Sequence, residues 1–233
     1  CGIVKAVDTT HPVTLAAAFP ELSAKLGFID AVDVAGYNYR ENLYAEHHQA
    51  FPDKPFLGSE NGHRLQDWRA VTDNDYISGQ FLWTGIDYLG EAHGWPIHGS
   101  SAGLLTLAGF EKPGYYRRQS FWSVEPMIHL TTIRKTDNCV TPWGETAADA
   151  YACEFAPSAE SWNYCAGEMV TVKCYTNLRS IELLLNNKRL GTFEKDPDKD
   201  CILTTVRFEP GTLTARSPEN DTTVSHSLYT AMA

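Results

Sequence analysis

The chain has 233 residues, of which 43% are hydrophobic, 12% aromatic and 21% charged, which is enough apolar material for a folded core and excludes wholesale disorder. A formal net charge of −10, with basic residues in no stripe or block, excludes a nucleic-acid partner held through its phosphates. No apolar run reaches the roughly 18 to 20 residues that a membrane span needs, and the opening CGIVKAVDTT lacks the charged-then-apolar order of a signal peptide.

In chain order, Pro12–Ala18 (PVTLAAA), Val32–Tyr39 (VDVAGYNY), Pro55–Glu60 (PFLGSE) and Gly79–Tyr88 (GQFLWTGIDY) read as buried strands, since they are short, largely apolar and flanked by Gly, Pro or Asp. Helices fall between them. ENLYAEHHQAF sets Leu43, His47, Ala50 and Phe51 at helical spacing, and PGYYRRQSFW opens with Pro113 at the favoured first-turn position. Strand then helix, repeated, predicts parallel strands with helical crossovers, hence an α/β layer or barrel.

Past about Val124 the texture changes. EMVTVKCYTN, SIELLLNNKRLGTF, CILTTVRFEPGTLTARS and TTVSHSLYT alternate in strand fashion, with Asn186-Asn187 as a hairpin turn, and predict an antiparallel β-sandwich. Between Arg134 and Glu160 no period is strong, which marks a linker. Five of the six cysteines (Cys139, Cys153, Cys165, Cys174 and Cys201) lie in this second part, and none forms a CxxC pair. They read as small buried residues with one or two disulfides among them, and they lean the open question of compartment toward a periplasmic or secreted space. His93 and His98 beside Glu91 match no ligand spacing, so neither a metal nor a cofactor is expected.

In parallel α/β architectures reactive groups collect where strands end, because the loops there converge on one face. Three predicted strands end in polar or aromatic groups: Asn38 and Tyr39, then Glu60, then Trp83 through Asp87. Each alone has an ordinary structural reading, the carboxylate as a helix cap or surface charge and the aromatics as core. Together, VDVAGYNY, PFLGSENGH and GQFLWTGIDYLGE resemble the last three strands of the catalytic barrel of family 2 glycoside hydrolases, especially its β-galactosidase branch. The resemblance extends upstream to VDTTHPVTLAAA, downstream to GFEKPGYYRRQSFW, and into YTNLRSIELLLNNKRLG, which is similar to a domain that follows the barrel in many such enzymes.

The resemblance implies roles. Glu60 matches the catalytic nucleophile and Tyr39 the tyrosine that orients it; Asn38, His63, Trp83 and Glu91 fall at substrate-binding positions, and Asp87 at an acidic position that fixes loops. It also implies a fold, α/β plus all-β: the C-terminal portion of a (β/α)8 TIM barrel over residues 1–134, a linker over 135–159, and a truncated immunoglobulin-like β-sandwich over 160–233. The implied substrate is a β-galactoside or related oligosaccharide.

A retaining glycosidase needs a second carboxyl group as general acid/base. In this family it sits in an Asn-Glu pair, and no such pair occurs in the sequence. A (β/α)8 barrel takes about 250 residues, so the expectation is a piece of a larger polypeptide, with the missing N-terminal part or a covering chain as its partner. The competing readings are a non-catalytic carbohydrate-binding or scaffolding fragment and, within the enzymes, a β-glucuronidase or β-mannosidase. The Asn-x-Lys motif that glucuronidase relatives carry after the nucleophile does not occur in the segment directly following Glu60.

Overall fold

Short runs such as AGYN and FLGSEN, too brief to bury a face alone, form strands because neighbouring strands and crossover helices cover them. In a computed structural model that describes residues 1–92, 94–134, 139–140, 146–147, 158–218 and 224–231, the chain divides into two compact units, Cys1–Phe110 and Glu111–Ala233.

The first unit runs α1 (Gly2–Val7), α2 (Pro20–Lys25), β1 (Ala35–Asn38), a 3-10 turn (Glu41–Leu43), α3 (Tyr44–Ala50), β2 (Phe56–Asn61), α4 (Leu65–Thr72), β3 (Ile77–Leu82), β4 (Tyr88–Leu89) and β5 (Gly99–Ser100). β1, β2 and β3 form a parallel sheet in that order. α3 and α4 are its crossovers, as parallel neighbours require. Tyr37, Tyr44, Phe56, Ile29, Val71 and Ile77 make the core, with the Tyr37 ring 6.0 Å from Tyr44 and 5.5 Å from Phe56.

The strand expected over Pro12–Ala18 is reduced to two parallel bridges, Thr14 to Val34 and Ala17 to Tyr37. They cross closely over Gly36, where a Cβ would stand 2.0 Å from the Leu15 carbonyl oxygen; only glycine leaves room for that backbone. The strand expected over Gly79–Tyr88 also breaks. β3 stops at Leu82, and residues 84–87 pair instead with 102–105, with Leu105 N–H donating to the Gly85 carbonyl at 3.0 Å and Asp87 N–H to that of Leu105 at 2.9 Å. Backbone from a distant segment captures the second half of the predicted strand.

The second unit holds α5 (Pro113–Trp122), β6 (Ile128–Arg134), β7 (Cys139–Val140), β8 (Thr146–Ala147), β9 (Met169–Thr176), β10 (Ser180–Leu185), β11 (Lys188–Glu194), β12 (Ile202–Arg207), β13 (Thr212–Arg216) and β14 (Ser225–Tyr229). Two antiparallel sheets, β11-β10-β13-β14 and β12-β9-β6, share one core. Every second residue of β9 (Val170, Val172, Cys174) and of β10 (Ile181, Leu183, Leu185) enters it, as a strand of period two dictates. Asn186 and Asn187 both adopt positive φ (51° and 65°), the geometry of the two-residue hairpin turn expected there.

Residues 128–134 were assigned by sequence to the α/β part, but β6 pairs with β9 along its whole length and belongs to the second unit. α5 packs on β9 in the same unit, and Tyr116 stacks on His129 at 3.5 Å. The linker expected over 135–159 lies outside the described residues except for β7, β8, Ser158 and Ala159, and Ala159 pairs with Thr132. Cys1, Cys165 and Cys174 carry free thiols, and Cys174 and Cys201 are buried. Among the described residues no helix is long and apolar enough to cross a membrane.

Candidate active site

The three parallel strands end side by side. The ladder runs past their formal ends, with Tyr39 N–H donating to the Glu60 carbonyl at 2.9 Å and Trp83 N–H to the Asn61 carbonyl at 3.0 Å, so Tyr39, Glu60 and Trp83 stand in a row across the sheet edge. Tyr39 holds φ at +52°, an unusual value for a bulky residue, and its phenol donates to the Glu60 carboxylate. Burial first, then that hydrogen bond and the negative charge of Glu60, push the Tyr39 phenol above its ordinary pKa. It therefore stays protonated at neutral pH and available as a donor. Asn38 lies across from Glu60 in the strand pairing, and its Nδ2 approaches Glu60 Oε2 at 3.5 Å.

The loop after Glu60 is clamped from beneath. Asp67, in the first turn of α4, takes the Arg64 guanidinium through both oxygens, at 2.7 and 3.0 Å, and the Arg64 backbone N–H at 3.3 Å. That carboxylate stands 2.5 Å from where a Gly62 Cβ would be, so glycine is required for the close approach. Glu41, with its pKa raised by burial and by the negative charge of Asp67, accepts the Gly62 N–H. The clamp fixes His63, whose Nε2 lies 2.8 Å from the Trp83 carbonyl oxygen. A carbonyl only accepts, so Nε2 carries the proton and is committed to Trp83.

Trp83, 39% exposed, meets the edge of Tyr88 with ring centroids 5.7 Å apart. Tyr88 in turn donates its hydroxyl to Glu91, which sits at positive φ in the loop after β4. Asp87 accepts the Gly103 N–H at 2.9 Å, the loop-fixing position expected of it. His98 uses Nδ1 on the Pro96 carbonyl at 3.1 Å, and His93 lies outside the described residues. Among the described residues no three His, Cys, Asp or Glu side chains converge as metal donors.

Of the residues singled out by sequence, Asn38, Tyr39 and Glu60 form one cluster, His63 and Trp83 are joined to each other, and Glu91 reaches Trp83 only through Tyr88. Tyr88 and Ser59 were not singled out. Tyr88 is legible only as an aromatic three residues before Glu91. Ser59, whose Oγ lies 2.8 Å from Asn38 Oδ1, gives no signal in an ordinary strand reading. Chemically, the arrangement holds a carboxylate at a rigid strand end between two donors, beside a partly exposed indole face suited to the C–H side of a pyranose.

Residues 167–225 match a family described as a domain of unknown function, DUF4982. The β-galactosidase BoGH2A of Bacteroides ovatus is 28% identical over 96% of this chain and 29% of its own length. A candidate β-glucuronidase of Formosa agariphila is 30% identical over 70% of this chain and 14% of its length. The crystal structure of a glycosyl hydrolase family 2 member from Bacteroides cellulosilyticus superposes with a TM-score of 0.84 at 30% identity, over 100% of this chain and 32% of that one. The chain thus spans about a third or less of the relatives it matches. A likeness that runs through both units, in sequence and in fold, makes the chain a member of glycoside hydrolase family 2.

Proposed function

We propose that this chain carries the nucleophile side of a retaining exo-β-glycosidase that releases terminal β-D-galactose. The observation that carries the reading is the convergence of Tyr39 and Asn38 on Glu60 at the ends of adjacent parallel strands. Glu60 attacks the anomeric carbon, the glycosidic C–O bond breaks, and a glycosyl ester on Glu60 is later hydrolysed by water. The Tyr39 hydroxyl holds the attacking carboxylate and follows its charge as the ester forms. His63 and Trp83 line the sugar, and Glu91 takes a hydroxyl at the pocket's edge.

In this reading the parallel sheet and its crossovers are the C-terminal portion of a TIM barrel, and the paired antiparallel sheets are an immunoglobulin-like sandwich. The acid that protonates the leaving group comes from further polypeptide. An uncovered apolar groove of about 300 Å³, lined by Leu15, Phe19, Leu22, Leu26 and Phe28 and containing none of the site residues, supports the presence of such a covering partner.

The test is incubation with 2,4-dinitrophenyl 2-deoxy-2-fluoro-β-galactoside followed by peptide mass mapping. Dinitrophenolate leaves without protonation, so capture requires only the nucleophile. A fluorosugar adduct on Glu60 is expected; a folded sample that gives none overturns the reading in favour of a fragment that binds sugar without cleaving it, the alternative favoured by the lack of an Asn-Glu pair. The likeness to a candidate β-glucuronidase makes the corresponding glucuronide the comparison reagent, and faster capture of that sugar would reassign the substrate.

A further inference from the structure

The end of β2 is out of step with both neighbours. Tyr37 pairs with Gly58 and Asn38 with Glu60, so Ser59 is a surplus residue with no partner on β1. On the other edge Gly58 pairs with Gln80 and Asn61 with Leu82, and β2 again holds one residue too many. This is a β-bulge, a device that re-aims side chains near functional sites. In a regular strand residues 59 and 60 point to opposite faces. Here both reach the same side chain: Ser59 Oγ lies 2.8 Å from Asn38 Oδ1, and Asn38 Nδ2 lies 3.5 Å from Glu60 Oε2.

Donor and acceptor rules fix the direction of this relay. A nucleophilic carboxylate only accepts, so the Asn38 amide must turn its NH2 toward Glu60. Its carbonyl oxygen then faces Ser59, which must donate. The carboxylate already disfavours the flipped amide, which would set two acceptor oxygens against each other; at 3.5 Å that contact is long, and the 2.8 Å Ser59 hydrogen bond is the shorter tie that holds the amide in place through its carbonyl oxygen. The 3.5 Å approach leaves the carboxylate oxygen room to move toward an anomeric carbon, and contacts of this kind tighten when substrate is bound.

We propose that Ser59 is a positioning residue, which locks the Asn38 amide with its NH2 toward Glu60 and so sets the rate, not the affinity, of glycosyl capture. The proposal rests on Glu60 being the nucleophile. The experiment is saturation kinetics of inactivation by the dinitrophenyl fluorogalactoside, in the polypeptide that carries this chain. Ser59→Ala is expected to lower the limiting inactivation rate about tenfold, the worth of one hydrogen bond to the reacting group, with the half-saturating concentration and the thermal midpoint unchanged. Ser59→Thr, which keeps the hydroxyl, restores most of the rate. In an Asn38→Ala background, Ser59→Ala has no further effect, because the serine acts through the amide.

An unchanged rate in Ser59→Ala, an equal loss with and without Asn38, or a loss that comes with weaker binding and a lower midpoint would each overturn the proposal. Failure of the unsubstituted protein to label at Glu60 is a different result, and removes the nucleophile reading together with this one.

Discussion

The two units solve the same problem, covering short strands, to different degrees. In Glu111–Ala233 two sheets close on each other, and Trp162, Val170, Leu183, Leu213 and Ala215 are at most 0% exposed. In Cys1–Phe110 helices cover a core on the sheet, yet Phe19, Phe28, Phe81 and Phe110 are each more than half exposed. Parallel sheets are ordinarily covered on both faces. The difference separates a unit that closes on its own interior from one that leaves large apolar side chains at its surface.

The largest expected effect tests whether the cluster around Glu60 in the first unit is chemical. Glu60→Gln keeps the shape and an acceptor oxygen but removes the proposed nucleophile, so on that reading turnover in the polypeptide that carries this chain should fall by at least about 10³-fold while the circular dichroism spectrum stays the same. Turnover within tenfold of the unsubstituted enzyme would leave Glu60 a structural residue. The interior of the second unit is tested next. Leu183 is fully buried on β10, and Leu183→Ala should lower the unfolding free energy of that unit by about 4 kcal/mol, the sum of lost burial and the cavity left behind, read as a shift in the urea midpoint. A change below about 1 kcal/mol would mean that the core collapses around the gap.

In the first unit the sensitive points are backbone approaches more than apolar volume. Gly36→Ala places a methyl 2.0 Å from the Leu15 carbonyl oxygen and 2.7 Å from Thr14 Oγ1, and displacing Leu15 breaks the hydrogen bonds of Ala17 N–H to Gly36 and of Asn38 N–H to Ala17. The expected loss is about 3 kcal/mol, with the earliest hydrogen exchange at Ala17 and Asn38. Exchange that speeds up elsewhere first would show that the 14–17 segment does not hold the edge of the sheet.

The same contrast governs what the sequence reveals. The sandwich strands alternate cleanly, and Asn186-Asn187 announces its turn, so β9 through β14 are legible from side chains alone. β6 is just as strand-like (IHLTTIR), but a strand pattern does not say which sheet it joins, and pairing with β9 was needed to place it. In the first unit β2 is legible within a residue, and with it Glu60. The break after Leu82 is not, because it depends on Gly103 admitting the backbone of Asp87, whose nitrogen lies 2.1 Å from where a Cβ would be. The bulge at Ser59 is equally hidden, since register belongs to pairs of strands and leaves no mark in one of them.

The smallest effect lies in the outer face of the sandwich, where the second unit keeps titratable groups instead of apolar ones. His129, buried on β6, stacks on Tyr116, lies 4.3 Å from the His226 ring and has Nε2 2.6 Å from Glu160 Oε1. Burial, then the neighbouring His226, push its pKa down to about 3 from an ordinary 6.5. The folded state therefore keeps a neutral ring at pH values where the unfolded chain has taken up a proton. Its stabilising contribution is complete above about 6.5 and is lost as pH falls toward 3. Glu160, raised by burial and by Glu111, takes its proton earlier in the folded state and acts in the opposite sense, and His226, lowered by burial, acts in the same sense as His129. Comparing the protein with a His129→Gln variant removes both contributions. Between pH 6.5 and 5.5 the unsubstituted protein should lose stability faster than the variant, by at most about 1.4 kcal/mol per pH unit for the single proton involved. Urea midpoints at each pH measure it, and parallel slopes for the two proteins would mean that Glu160 holds the proton of His129 in the fold as firmly as water does outside it.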